Sequence, residues 1–186
     1  MLNTLNNIYA LTAFDTEKAQ QAIQELSKLL RYVLYDNQET FVPLTKEVEF
    51  IQNYIELMRI RVSSAVKINT NFQIRPDSQS PVAPLLFISL IENAFKHGIS
   101  PTEPSFIDIM LTEKDDEIHC VIRNSNYPKN AMDKSGSGIG LEQVRKRLEL
   151  LYAGRYEWHQ QISSNQKEYS SILTIKIPDN NKKILP

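Results

Sequence analysis

The spacing of apolar residues changes period near Arg61, and that change decides what class of fold the chain can adopt. Before it, residues Leu2 to about Asp36 hold no glycine or proline and place Leu5, Ile8, Leu11, Ala19, Ile23, Leu26, Leu29, Leu30, Val33 and Leu34 at helical intervals. This pattern reads as two helices with a break at Phe14-Asp15-Thr16, where Asp15 or Thr16 can cap the second. Asp36 to Pro43 is a connector. A third helix then opens at Thr45, its candidate N-cap, with Glu47 and Glu49 in the first turn, where the helix dipole favours a carboxylate. Val48, Ile51, Tyr54, Ile55 and Met58 form its apolar stripe.

After Arg61, Val66, Ile68, Thr70, Phe72 and Ile74 alternate with Lys67, Asn69, Asn71 and Gln73, as in a half-buried strand. A polar loop from Pro76 to Pro81 leads to Leu85–Lys96, apolar on nearly all sides, which reads as a helix buried against a sheet and stopped by Gly98. Strands follow at Phe106–Thr112 and Ile118–Arg123, joined by a charged turn. A long loop from Asn124 to Ser135 runs into Gly136-Ser-Gly-Ile-Gly140, a helix from Leu141 to about Tyr152, and strands at Tyr156–Ile162 and Tyr169–Ile177. Helices alone in the first third and mixed elements thereafter predict an α+β fold, a two-layer α/β sandwich preceded by a helical segment.

Composition narrows the function classes. The 186 residues carry 21 Lys+Arg against 22 Asp+Glu, a net charge of −1 with no basic block, so nucleic acid is not an expected partner and no polybasic membrane anchor is present. Apolar runs such as Pro84–Ile91 fall far short of the roughly 20 residues that span a bilayer. With Cys120 as the one cysteine and only three histidines, a reducing cytoplasmic setting without structural zinc is expected.

Of five glycines, three are Gly136, Gly138 and Gly140. Glycines that open a helix suit phosphate binding, because they let the backbone approach an anion and aim free N–H groups at it. The pattern is neither a dinucleotide fingerprint, since Leu141 takes the third glycine position, nor a P-loop, since GK[ST] is absent. A plain flexible hinge is the competing reading. A second segment, Ile91-Glu-Asn-Ala-Phe-Lys-His-Gly98, places Asn93, Lys96 and His97 on neighbouring faces of a helix end. An amide oxygen suits Mg²⁺ and an ammonium suits phosphate, although a solvated helix end accounts for each residue singly.

Together, Glu92-Asn-Ala-Phe-Lys-His-Gly98 and Gly136-Ser-Gly-Ile-Gly-Leu-Glu-Gln-Val-Arg-Lys-Arg-Leu-Glu-Leu-Leu-Tyr152 resemble the asparagine and glycine boxes of the GHKL (Bergerat) ATP-binding superfamily. More narrowly, the chain is similar to the LytS-like sensor histidine kinases. Leu2–Tyr9, Leu26–Tyr32, Val42–Glu47, Tyr54–Arg61 and Pro81–Leu85 match that family's landmarks in order.

The resemblance implies ATP and Mg²⁺ as cofactors. Asn93 would hold the metal; Lys96 and His97 would contact phosphate or ribose, with Glu92 as an accessory catalytic residue. Gly136, Gly138 and Gly140 would hinge a lid, and Leu141 would lead into the helix facing the triphosphate. Asn124 stands where the superfamily has an adenine-reading aspartate, and both glycines that accompany that aspartate are missing, which implies weaker or less selective ATP binding. Ser89 stands where the superfamily's hydrolases place a water-activating glutamate, so transfer rather than hydrolysis is implied.

The family's phosphoacceptor histidine precedes a Phe-Asn-Thr-Leu-Asn segment, whereas this sequence opens Met1-Leu-Asn-Thr, so the acceptor is expected outside it and autophosphorylation is not expected of this chain. The expected organisation is residues 1–40 as part of the dimerisation and phosphotransfer helices and 41–186 as a connecting helix plus ATP-binding domain. The implied partners are a response regulator with a receiver domain and, in the parent protein, a second copy. No membrane contact is expected of this chain, while the parent is expected to be membrane-anchored. The alternative is a degenerate module of the same fold that dimerises or binds partners without kinase activity.

Overall fold

A computed structural model describes residues 2–36, 39–127 and 139–177. Helices α1 (Leu2–Phe14) and α2 (Thr16–Arg31) meet at the expected break, where the Asp15 carboxylate accepts from the Lys18 N–H at 3.0 Å and caps α2. Of the apolar residues read on α1, Ile8 is buried but Leu5 is exposed, because α1 packs by one edge. Helix α2 ends in a π-helical turn, Tyr32–Asp36, which a count of apolar spacing cannot separate from a continued α-helix.

Two short strands went unseen in the sequence. β1 (Val42–Pro43) and β3 (Pro81–Val82) pair antiparallel, and two residues are too few to show alternation. Between them run α3 (Leu44–Arg61) and β2 (Val66–Gln73). The expected cap of α3 is corrected: Pro43, with extended backbone, is the N-cap, and the Thr45 hydroxyl donates instead to the Ser78 carbonyl at 3.2 Å. Glu47 lies in the first turn as expected, and it is fully buried.

The remaining elements are α4 (Leu86–His97), β4 (Ser105–Lys114), β5 (Glu117–Ser125), α5 (Ile139–Tyr152), β6 (Tyr156–Ile162) and β7 (Glu168–Lys176). The main sheet has the order β2-β4-β5-β7-β6; β2 and β4 are parallel, joined through α4, and the other pairs are antiparallel. Asp115 and Asp116 take φ of 48° and 61°, the left-handed values that let a two-residue turn close the β4–β5 hairpin. At Gly154 a φ of 69° turns α5 into β6.

Strand alternation sends Ile107, Ile109 and Leu111 of β4, Ile118, Cys120 and Ile122 of β5, and Leu173 and Ile175 of β7 to the helix-covered face. There they meet Leu86, Phe87 and Ile91 of α4 and Val144, Leu148 and Tyr152 of α5, all buried in one core. This packing anchors α4 against the sheet along its buried face. Among the described residues, no helix is long and apolar enough to cross a membrane.

Candidate functional site

The asparagine-box residues occupy the last two turns of α4, and the N–H of the C-cap residue Gly98 closes the last turn on the Ala94 carbonyl at 2.7 Å. Gly98 is required there by close approach. A β-carbon on it would lie 2.6 Å from the Ala94 oxygen, 2.7 Å from the Asn124 Cβ and 2.9 Å from the Asn124 Nδ2. The end of α4 and the end of β5 therefore touch through Gly98 and Asn124.

Asn124 continues the inward stripe Ile118, Cys120, Ile122, and is only 1% exposed. Its amide nitrogen donates to the Ser125 carbonyl at 2.7 Å, while its Oδ1 is buried with no hydrogen-bond partner among the described residues. A buried amide oxygen without a donor is costly, and such orphans mark places where a ligand or water completes the bonding. Its register partner on β7 is Tyr169, whose hydroxyl is buried near Ser171. The sequence reading missed Tyr169; its signal is the pairing of the last strand beside Asn124, which spacing along the chain does not reveal.

The chain beyond β5 is drawn across the α4 terminus, with the Tyr127 N–H donating to the His97 carbonyl at 3.4 Å. Asn93 and His97 are half-buried and lie four residues apart, on one face of α4. Glu92 and Lys96 lie on the adjacent face, about 100° around the helix. They border a cavity of about 640 Å³ between α2, α3 and α4, with Tyr54, Phe95 and Arg61. Asn93, Lys96 and His97 thus share one helix end but divide between two faces. Partial desolvation at the rim of the cavity pushes the Glu92 carboxyl above its ordinary value; burial, and then the Glu92 charge, push the Tyr54 phenol up as well.

Gly136 and Gly138 lie outside the described residues. Gly140 is in the exposed first turn of α5, with open space where a β-carbon would stand, so packing in this conformation does not demand glycine. Leu141 is half-buried and packs against the core. Ser89 turns its hydroxyl back to the Leu85 carbonyl at 3.5 Å. His119 lies near Thr174 at 3.1 Å and Glu117 at 3.3 Å, and His159 is exposed near Glu157, both on the sheet face opposite the buried stripe.

Among the described residues, no group of three or more His, Cys, Asp or Glu side chains could hold a metal ion.

At the opposite end of α4, away from Asn93, a buried carboxylate holds the helix entrance. Glu47 Oε2 accepts from the Tyr32 hydroxyl at 2.9 Å and from the Leu85 N–H at 3.0 Å, immediately before α4. Its sequence signal is a carboxylate beside the buried apolar residues Leu44, Val48, Phe50 and Ile51 of α3.

Comparison with known proteins accords with this geometry. The family described as "Histidine kinase" matches residues 1–66. Sensor protein LytS of Oceanobacillus iheyensis is 28% identical over 100% of this chain and 33% of its own length. Sensor protein kinase HptS of Staphylococcus aureus is 26% identical over 96% of this chain and 36% of its own. The chain therefore spans about a third of the length of these relatives. The catalytic domain of histidine kinase ThkA superposes with a TM-score of 0.51 at 16% identity, covering 74% of this chain and 95% of that one. The histidine kinase domain of the Erythrobacter litoralis EL346 blue-light activated histidine kinase gives 0.55 at 14% identity, covering 87% and 75%. At such identities the structural likeness establishes the fold, that of histidine kinase catalytic domains.

Proposed function

We propose, from its similarity to the LytS-like sensor histidine kinases, that the chain is the ATP-binding core of a two-component sensor kinase of that family. It would bind Mg·ATP and present the γ-phosphate to a histidine, from which the phosphate passes to an aspartate in the receiver domain of a response regulator. The observation that carries this reading is the meeting of the Asn93–Gly98 helix end with Asn124, whose buried Oδ1 awaits a donor. The exocyclic amino group of adenine is such a donor.

In this reading Asn93 holds Mg²⁺ through its amide oxygen, and the ion supplies neutralisation of the triphosphate charge. Lys96 presents its ammonium from the face turned toward α2 and α3, the side on which an incoming helix-borne histidine would arrive. His97 shares the Asn93 face and is suited to ribose or phosphate; Glu92 borders the transfer side. Gly136, Gly138 and Gly140 serve the lid over the nucleotide. Ser89, bonded to its own helix, offers no base to a water molecule, which favours transfer over hydrolysis. His119 and His159, on the opposite sheet face, are not the acceptor. The exposed Leu5, Tyr9 and Ile23 of the helical hairpin support pairing with a second copy in the parent protein. Its setting would be the cytoplasmic side of a membrane-anchored parent.

Titration calorimetry tests the reading. Mg·ATP should bind the wild-type chain, and Asn93→Ala should weaken binding at least about tenfold in the presence of Mg²⁺, a loss of about 1.4 kcal/mol. Equal affinity in the variant would remove Asn93 from the site. One observation favours a second reading, a nucleotide-free partner-binding module: the adenine position carries a neutral amide instead of a carboxylate. Absence of any binding heat with the fold intact would favour it.

A further inference from the structure

Leu85, the residue before α4, has φ 59° and ψ 24°, a left-handed conformation that a leucine adopts only under constraint. Two helices, α5 and α3, hold the turn that contains it. The Ala83 N–H donates to the Tyr152 hydroxyl at 2.7 Å, the Pro84 carbonyl accepts from Arg147 at 2.8 Å, and the Leu85 N–H donates to Glu47 at 3.0 Å. The first two bonds come from α5, within the same layer. Glu47 differs because the same oxygen that takes Leu85 also takes Tyr32, on the π-helical turn that closes α2.

Tyr32 is buried and its ring lies on Phe50 of α3 at 4.6 Å, so its hydroxyl is aimed by packing. One carboxylate oxygen therefore ties the exit of the helical pair to the entrance of α4, and α4 carries Asn93 at its other end. The remaining oxygen, Oε1, is buried without a hydrogen-bond partner among the described residues. A fully buried carboxyl with one orphan oxygen is a costly way to fill a core, which argues that the bonds on Oε2 serve more than packing.

We propose that Glu47 is a positioning residue that couples the π-helical turn at Tyr32 to the start of α4, and so sets where Asn93 stands relative to the helical pair. Its importance for phosphotransfer rests on the function proposed above; the mechanical tie itself does not.

The tie is measured by the distance between spin labels on Gln21→Cys of α2 and Gln160→Cys of β6, two exposed positions. Cys120 is buried and burial pushes its thiol up to about 12, so it stays unlabelled. The labelled chain should give one narrow distance distribution. Tyr32→Phe, which keeps the ring and leaves the Glu47–Leu85 bond, should broaden it at least about twofold while the Mg·ATP dissociation constant stays within about twofold. Glu47→Ala should do the same, and Glu47→Gln, which keeps an acceptor oxygen, should restore the narrow distribution.

An unchanged distribution in Tyr32→Phe overturns the proposal, as does a loss of nucleotide binding in that variant, which would mark the bond as holding the site itself together. If Glu47→Ala does not fold, Tyr32→Phe alone decides. A chain that binds no Mg·ATP but whose distances respond to Tyr32→Phe refutes the proposed function and keeps the tie. A chain that binds and does not respond refutes the tie alone.

Discussion

Gly98 and Asn124 share one small space, and each restricts the other. Adding a methyl group at Gly98 would force the Ala94 carbonyl or the Asn124 side chain to move, since the new carbon would lie 2.6 Å and 2.7 Å from them. Gly98→Ala should therefore lower stability by about 1–3 kcal/mol, the usual range for overpacking, and weaken Mg·ATP binding as well. Denaturant melts and calorimetry on the same sample check both; a loss of stability with unaltered binding would separate Gly98 from the site. Asn124 is neutral where the superfamily resemblance implies a carboxylate. Asn124→Asp would give the adenine amino group a charged acceptor and should tighten Mg·ATP binding roughly tenfold, about 1.4 kcal/mol. Unchanged or weaker binding would show that the amide is the better partner in this buried position.

Between elements, the loop after β2 is held to β4 by a single carboxylate. Glu113 accepts from the Ser80 hydroxyl and the Arg75 guanidinium at 2.6 Å, from the Ser78 hydroxyl at 2.7 Å and from the Arg75 N–H at 3.1 Å. Burial alone would raise its pKa, but the bonds from Arg75, Ser80 and Ser78 outweigh that and hold it at about 2. A carboxyl depressed in the folded state contributes stability above its unfolded value near 4.5, and loses that contribution as pH falls from there toward about 2. Glu113→Gln should consequently be less stable than wild type at pH 6, with the gap narrowing as pH falls through this window. Urea midpoints across the range measure it; a gap independent of pH would show that the bonds do not depend on charge.

The same scale shows what was legible in the sequence. Long elements with a clean period, such as α2, β4 and the buried α4, are plain because burial acts on every second or every third to fourth residue. The π-helical turn, the two-residue strands and the inward Glu47 are not, because each is set by a partner distant in the chain: Val82 for Val42, Leu85 for Glu47. The site divides in the same way. Motif resemblance singles out Asn93 and Asn124 as candidates, whereas the contact of the α4 end with Asn124 through Gly98, and the face toward the helical pair on which Glu92 and Lys96 lie, required the fold.

At the scale of the whole molecule, an α/β sandwich presents one helix end, and a helical pair packs beside that helix across an apolar cavity. In the proposed function the sandwich holds the nucleotide and the helical pair fixes where the phosphate can be delivered. Everything in that account depends on nucleotide binding by the chain, which makes thermal unfolding with and without Mg·ATP its most direct measurement. A ligand bound to the folded state alone stabilises it by RT ln(1 + [L]/Kd), about 2.7 kcal/mol at 100 times Kd. The account predicts that millimolar Mg·ATP raises Tm by several degrees, and that Asn93→Ala abolishes most of the rise. An unchanged Tm at millimolar Mg·ATP, with a cooperative transition in both samples, would contradict it.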